Sequence, residues 1–268
     1  LVSMTLLEGR AESIRLTPKD DVRKAIRNLS AGEEVVLSGE KFHLSAGLKI
    51  KAKGSASTPV IIRSEQGGRA EIIVQSKKSN AIEIRGSSHL ILENLVIQGG
   101  SQGIRLVNSD YITIEGCEIH NTGDVGISAN GRGTYENLTI RNNHIQHTGG
   151  PGEAMYLGCN RDKCRVKNSL IEWNYIHDTN GPSVQQGDGI EIKEGSSGNI
   201  VRHNVIHDTK YPAIITYGTV GNGPPNVIEG NVVWNIGNNA IQSAADSVIR
   251  NNIVLGSPIV LKPHQNAS

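Results

Sequence analysis

The segment GDGIEIKEG, residues 187–195, sets Asp188, Glu191 and Lys193 within six residues of one another. Two carboxylates and an amine at this spacing admit three kinds of chemistry. On a solvated strand face, Glu191 and Lys193 would form a surface ion pair worth under about 1 kcal/mol. Asp188 and Glu191, joined by Glu153, are hard oxygen donors that could hold Ca2+, although their spacing matches no signature loop. A lysine beside a tyrosine can also move protons, the lysine as general base and the tyrosine as donor or acceptor. Carboxylates next to an ammonium favour its charged form and work against a base. A cation held by those carboxylates would offset them, so the proton-transfer reading leans on the cation site.

The elements that must position these residues come from a repeat. EGCEIHNT, RNNHIQHT, EWNYIHDT, RHNVIHDT, EGNVVWNI and RNNIVLGS share a third position, filled by Cys117, Asn143, Asn174, Asn204, Asn231 and Asn252. The steps between them are 26, 31, 30, 27 and 21 residues. A second series, QGIRL, VGISA, EAMYL, DGIEI, PAIIT and NAIQS, centres on Ile104, Ile127, Met155, Ile190, Ile214 and Ile241. A third strand-like run lies between the two, as in YITIEG, NLTIRN and NIVRHN. A unit this short cannot bury its own core, whereas stacked units bury a continuous one. Unit length varies while the pattern holds, which places insertions at corners rather than in strands. Asn at equivalent corners suits such a stack, because it tolerates left-handed backbone and its amides hydrogen-bond along a ladder. Cys117 reads as the small apolar residue that starts this ladder.

The fold expected is all-β: a right-handed parallel β-helix of coils over about 33–262, forming a single domain across residues 1–268. An N-terminal capping α-helix is expected over about 18–30. Thr17 and Asp20 would form a capping box with Pro18 at the first helical position. Val22, Ala25, Ile26 and Leu29 would give the helix an apolar face, and Gly32 would close it. GSPIVLKPHQNAS reads as one last strand and a tail.

Counted from each central Ile or Met, the next residue and the third point outward. These columns, with the residues two before each centre, gather Glu153, Tyr156, Asp188, Glu191, Lys193 and Tyr217 on one outer face over consecutive coils. Lys193 and Tyr217 are 24 residues apart, about one coil, and should be neighbours. The long insertions around CNRDKC and GPSVQQ border the same spot, where loops on a rigid stack tend to carry function. His120, Gln146, His177, His207 and Trp234 form a separate ladder beyond the Asn corner. A structural corner stack is the main reading of that ladder, with His177 and His207 retained as substrate-binding candidates.

The net charge is +1 and charged residues make up 20%, so no global basic surplus points to nucleic acid. Aromatics are 3%, which favours stacked aliphatic columns over large rings in the core. No apolar run reaches the roughly 20 residues of a membrane span. Cys159 and Cys164 are close enough for a small-loop disulfide, with two reduced thiols as the alternative, and zinc spacing is lacking. The chain begins at Leu1 rather than Met and reads as a processed or trimmed product. Nothing in the sequence fixes an oligomeric state.

Residues 31–72, AGEEVVLSGEKFHLSAGLKIKAKGSASTPVIIRSEQGGRAEI, resemble the N-terminal coils of parallel β-helix polysaccharide lyases, nearest the alginate lyase and chondroitinase B group. In that group a helix is followed by an extended strand, a turn and a P-I-x-I-R segment, here TPVIIR. EIKEGSSGNIVRHN is similar to the segment carrying the group's lysine, with Lys193 in that place and Glu191 as a candidate metal ligand. Two departures stand out. AIITYG puts Tyr217 where an Arg is expected, and the acidic residues are spaced differently. The resemblance implies β-elimination on an acidic, uronic-acid polysaccharide by a secreted or periplasmic protein. Lys193 would be the base and Tyr217 the acid, with Ca2+ held by Glu153, Asp188 and Glu191. Tyr156, Arg161, Lys163, His177, His207 and, more weakly, Arg202 would contact substrate, Arg202 from a different sheet than Lys193. A glycoside hydrolase using two of the three carboxylates and a non-catalytic glycan-binding or structural β-helix remain as alternatives.

Overall fold

A computed structural model of the chain describes residues 13–244 and 246–262. Each coil contributes three short parallel strands, one to each of three faces. In the coil that starts at Ile190–Ile192 (sheet C), the chain passes to Ile200–Arg202 (sheet A) and then to Val205–Thr209 (sheet B) before rising to Ile214–Thr216 (sheet C again). The sheet C register aligns Ile104, Ile127, Met155, Ile190, Ile214 and Ile241 in one column. All six are fully buried, as period-2 alternation with one face toward the core requires. The core is thus a set of aliphatic columns running along the stack, with Phe42 and Tyr135 its large buried rings among the described residues.

The expected helix is much shorter than 18–30. Helix α1 spans Val22–Ala25 and is capped by Asp21, whose side chain accepts from the Lys24 amide. Thr17 and Asp20 form a turn ahead of it. One Asp20 oxygen accepts from both the amide and the hydroxyl of Thr17, each at 2.7 Å. The helix stops because the chain must rejoin the sheet. Leu29 lies in the strand Asn28–Ser30, which pairs with Lys51–Lys53, and that pairing outweighs helix propensity. Gly32 turns between two strands rather than closing a helix. Val22 and Ile26 are buried at this end of the stack, and the strand Ile14–Leu16 pairs with Val35–Leu37. The tail at 263–268 lies outside the described residues.

The left-handed corner is one residue earlier than the Asn column. Asn142, Trp173, His203 and Asn251 hold φ near +55°, and the following Asn turns inward. Asn204 shows the reason. Its Oδ1 accepts from the amide nitrogen (3.0 Å) and Nδ2 (2.9 Å) of Asn174, while its own Nδ2 donates to Ile171 O and to Asn231 Oδ1, both at 3.0 Å. These bonds satisfy corner groups that would otherwise be buried without partners. They hold even Trp173 in a backbone conformation that bulky residues rarely adopt. Cys117 starts this ladder: its amide donates to Asn143 Oδ1 at 3.0 Å, but its side chain has no amide to pass the pattern on. Its thiol is fully buried, and burial pushes its pKa up to about 12, so it is an inert core residue. A second polar ladder, not visible from the Asn spacing, runs through Ser169, Asn199 and Asn226 at the corner between sheets C and A.

Replacing Asn204 with Ala leaves several of these buried groups unpartnered. A loss of about 2–3 kcal/mol is expected, read as a lower denaturation midpoint. An Asn252→Ala change at the less buried last coil should cost less.

Candidate active site

Sheet C builds the site by hydrogen bonding one coil to the next. The Ala154 amide donates to Asp188 O (2.9 Å) and the Met155 amide to Gly189 O (3.0 Å), which sets Glu153 beside Asp188. The Lys193 amide donates to Leu157 O (2.8 Å) and the Tyr217 amide to Ile192 O (3.0 Å). Tyr156 pairs directly with Glu191 in the register. The six residues predicted for one face are therefore together. Gly158, at φ +97°, makes room for them: a Cβ there would lie 3.1 Å from the Lys193 Cβ and 2.8 Å from the Ser196 hydroxyl.

This face is not a solvated one. Glu153 is 1% exposed, Lys193 4%, and Asp188 and Glu191 5% each. Lys193 Nζ sits 2.8 Å from Glu191 Oε1. It also lies 4.1 Å from the centroid of the Tyr217 ring and 5.3 Å from that of Tyr156, so an ammonium is caged by two ring faces and one carboxylate. The Tyr217 hydroxyl donates to Glu191 Oε1 at 3.3 Å. Burial first, and Glu191 second, push both tyrosine hydroxyls well above their usual range.

The acidic side of the site is short of partners. Glu153, Asp188 and Glu191 each bring one oxygen to within 4.8 Å of the others. Both Glu153 oxygens and Glu191 Oε2 are buried without hydrogen bonds, as is Oε2 of Glu194. Burial, followed among the raising causes by the charge of Glu191, pushes Asp188 to about 8 and Glu153 to about 7. Three converging carboxylates with unpartnered buried oxygens fit a hard cation such as Ca2+, which takes only oxygen ligands. Glu191 alone is shared, since Lys193 already holds its other oxygen. Glu194 was missed from the sequence. It directly follows Lys193 in EIKEG, where strand alternation gave no reason to place it near the site.

The inserted loops flank sheet C. Cys159 and Cys164 are joined as a disulfide, and Asp162 is clamped by Arg165 with Asn222 3.4 Å away. Arg161 and Lys163 line a depression of about 360 Å³ with Tyr156. On the other side, Asp188, Glu191 and Tyr217 line a cleft of about 240 Å³ with Gln186 and Tyr211. The remaining substrate candidates are elsewhere. Arg202 is on sheet A, held 2.7 Å from Glu172. His177 and His207 are on sheet B, stacked at 5.0 Å, with His207 stacked on Trp234 at 4.3 Å. Their side chains project from sheet faces other than the one that carries Lys193, because strand alternation fixes a side chain to its own sheet's outer surface.

Comparison with known proteins places this architecture. The family described as right handed beta helix region matches residues 30–186, more than half of the chain, and the chain belongs to that family. Among solved structures it is similar to an alginate lyase from Paenibacillus sp. str. FPU-7, with 24% identity and a TM-score of 0.73 over 94% of this chain and 98% of that one. It is also similar to the pectate lyase Pel9A (14% identity, TM-score 0.63, 97% and 79% of the two chains) and to the catalytic domain of a GH87 alpha-1,3-glucanase (13%, 0.53, 95% and 55%). No curated protein matches the chain. At these identities the likeness to solved structures is one of fold.

Glu153 and Asp188 bind protons more tightly in the folded chain than in the unfolded one, where carboxyls titrate near 4. Without a cation, stability should therefore fall as pH rises from about 5 to about 9, through the folded values of about 7 and about 8. Added calcium should restore it most at high pH, where its ligands are ionised. Thermal melts at both pH values, with calcium or chelator, check this. A Glu153→Gln/Asp188→Asn variant should lose both the pH dependence and the calcium effect.

Proposed function

We propose that this protein is a polysaccharide lyase that cleaves a uronic-acid polymer by β-elimination. The observation that carries the reading is Lys193, an amine buried between two tyrosine rings and next to a cluster of carboxylates suited to a cation. Glu153, Asp188 and Glu191 would hold Ca2+, which when bound neutralises the uronate carboxylate and so acidifies the proton at C5.

Lys193 Nζ takes the C5 proton, the electron pair forms the C4–C5 double bond, and the C4–oxygen bond breaks. The departing oxygen needs a proton from a tyrosine, and here the geometry shifts the sequence expectation. Tyr217 is bonded to Glu191 and serves to position that carboxylate. Tyr156 faces the depression lined by Arg161 and Lys163, where those cations would meet neighbouring uronates, and its high-lying hydroxyl remains protonated and able to donate. Lys193 must lose its own proton before it can act as a base. A cation held by Glu191 would compete with the Lys193 amine, 2.8 Å away, for that carboxylate. The three carboxylate oxygens, within 4.8 Å of one another, lie closer than the acid–base spacing of an inverting hydrolase, about 6.5–9.5 Å, and nearer to the about 5–5.5 Å of a retaining one, so the spacing disfavours only the inverting form of that alternative. A protein acting on such polymers fits a secreted or periplasmic location.

Elimination leaves a conjugated, unsaturated uronate that absorbs in the ultraviolet, whereas hydrolysis does not. Incubation with alginate, pectate, chondroitin and dermatan, with calcium or chelator, should give a rising signal on one of them. Lys193→Ala should lower that rate by at least about 10²-fold, in the range for loss of a positioned base. Tyr156→Phe should lower kcat similarly, while Tyr217→Phe should act more through calcium dependence. An absent signal on every polymer, or a Lys193→Ala variant of normal rate, would remove the lyase reading.

A further inference from the structure

The two outward columns of sheet C do not end at the site. Toward the N terminus, the column of Glu191 continues through Tyr156, Ser128, Arg105 and Glu83 to Lys49. Beside Lys49 and Glu83, at the next outward positions of the same strands, stand Lys51 and Arg85. Five coil steps separate Glu191 from Lys49, or about 24 Å at the spacing of parallel strands.

Three adjoining depressions, of about 400, 610 and 440 Å³, open along this end of the molecule. Their walls carry eight cationic side chains and two acidic ones, in a chain whose net charge is only +1. The cations come from separate elements that fold to one place: Arg23, Lys24 and Arg27 from around α1, Lys49 and Lys51 from one coil, and Arg85 and Arg105 from the next two. Arg105 stands nearest the site, and its Nε is buried without a hydrogen bond. Glu83 takes one of the two acidic positions and is itself occupied by Arg85 at 3.0 Å.

We propose that this basic track is an anchoring surface for the acidic polymer, holding a stretch of chain several sugar residues away from the bond being cleaved. The proposal rests on the lyase reading for the identity of the polymer, a polyuronate. It does not rest on that reading for the binding itself. The track shares its columns with the catalytic sheet, so one extended strand lying along the stack can occupy both. Its cations recognise a repeating carboxylate by charge, without contacts to any single sugar. Long chains therefore gain affinity that short oligomers, filling only the coils near Lys193, do not.

The test uses the full chain and the variant Lys49→Ala/Lys51→Ala/Arg85→Ala, with a melting curve to confirm an intact fold. Binding of the responsive uronate polymer at low salt should weaken by about tenfold, the effect of losing three exposed ion pairs. Its salt dependence should also become shallower. The fall in kcat/KM on the polymer should exceed the fall on a short oligouronate of the same sugar by a similar factor. Unchanged polymer binding overturns the proposal, as does an equal loss on polymer and oligomer. Preference of the wild-type chain for duplex DNA or for anionic phospholipid vesicles over every polyuronate also overturns it. If no polyuronate is cleaved yet the variant still loses binding to one of them, the lyase reading fails and the anchoring surface stands.

Discussion

Everything in this molecule follows from one constraint, the parallel pairing of each coil with the next. Once Ile190 is hydrogen-bonded over Met155 and under Ile214, all other positions of those coils are fixed in columns. A residue's neighbours are then its equivalents one coil away, not the residues beside it in sequence. The amides of the Asn ladder lock this register from inside the corner. A slip of one residue would turn every aliphatic column outward and every ladder amide into an unpartnered polar group. Chemistry can therefore be concentrated on one face without endangering the fold, because the core columns and the outer columns are independent.

The site uses that independence to do something costly. It gathers Glu153, Asp188 and Glu191 in a place where water is largely excluded and gives them a single ammonium between them. Burying like charges together is unfavourable, and the chain answers by protonation, as the raised values at Glu153 and Asp188 show. A site in this state is poised: anything that brings positive charge releases protons and tightens the cluster. The tyrosine rings on either side of Lys193 contribute to the same electrostatic setting, holding the ammonium without adding another negative charge.

Much of this was legible in the sequence for a simple reason. The repeat announces the register, and the register announces which residues share a column. That is why Lys193 and Tyr217 could be placed side by side across 24 residues. The depth of the site was not legible, because burial depends on how far the insertions around Cys159–Cys164 and Val184 fold over sheet C, which no spacing encodes. The left-handed corner was misplaced by one residue because Asn serves there in two ways, as a backbone-tolerant residue and as a ladder amide. At Asn142 and Asn143 the two roles stand next to each other. The helix was overextended because Leu29 fits a helical apolar face and a strand equally well, and tertiary pairing decided between them.

The scarcity of rings in the core leaves the molecule with an uneven set of optical reporters. Of its two tryptophans, Trp173 is 58% exposed at the corner between sheets A and B, stacked on His203. Trp234 projects from sheet B onto His207. Neither touches sheet C. Intrinsic tryptophan emission from this protein therefore reports on its far side, with a histidine ring stacked against each indole. Events around Lys193 would be followed instead through the tyrosine absorption of Tyr156 and Tyr217.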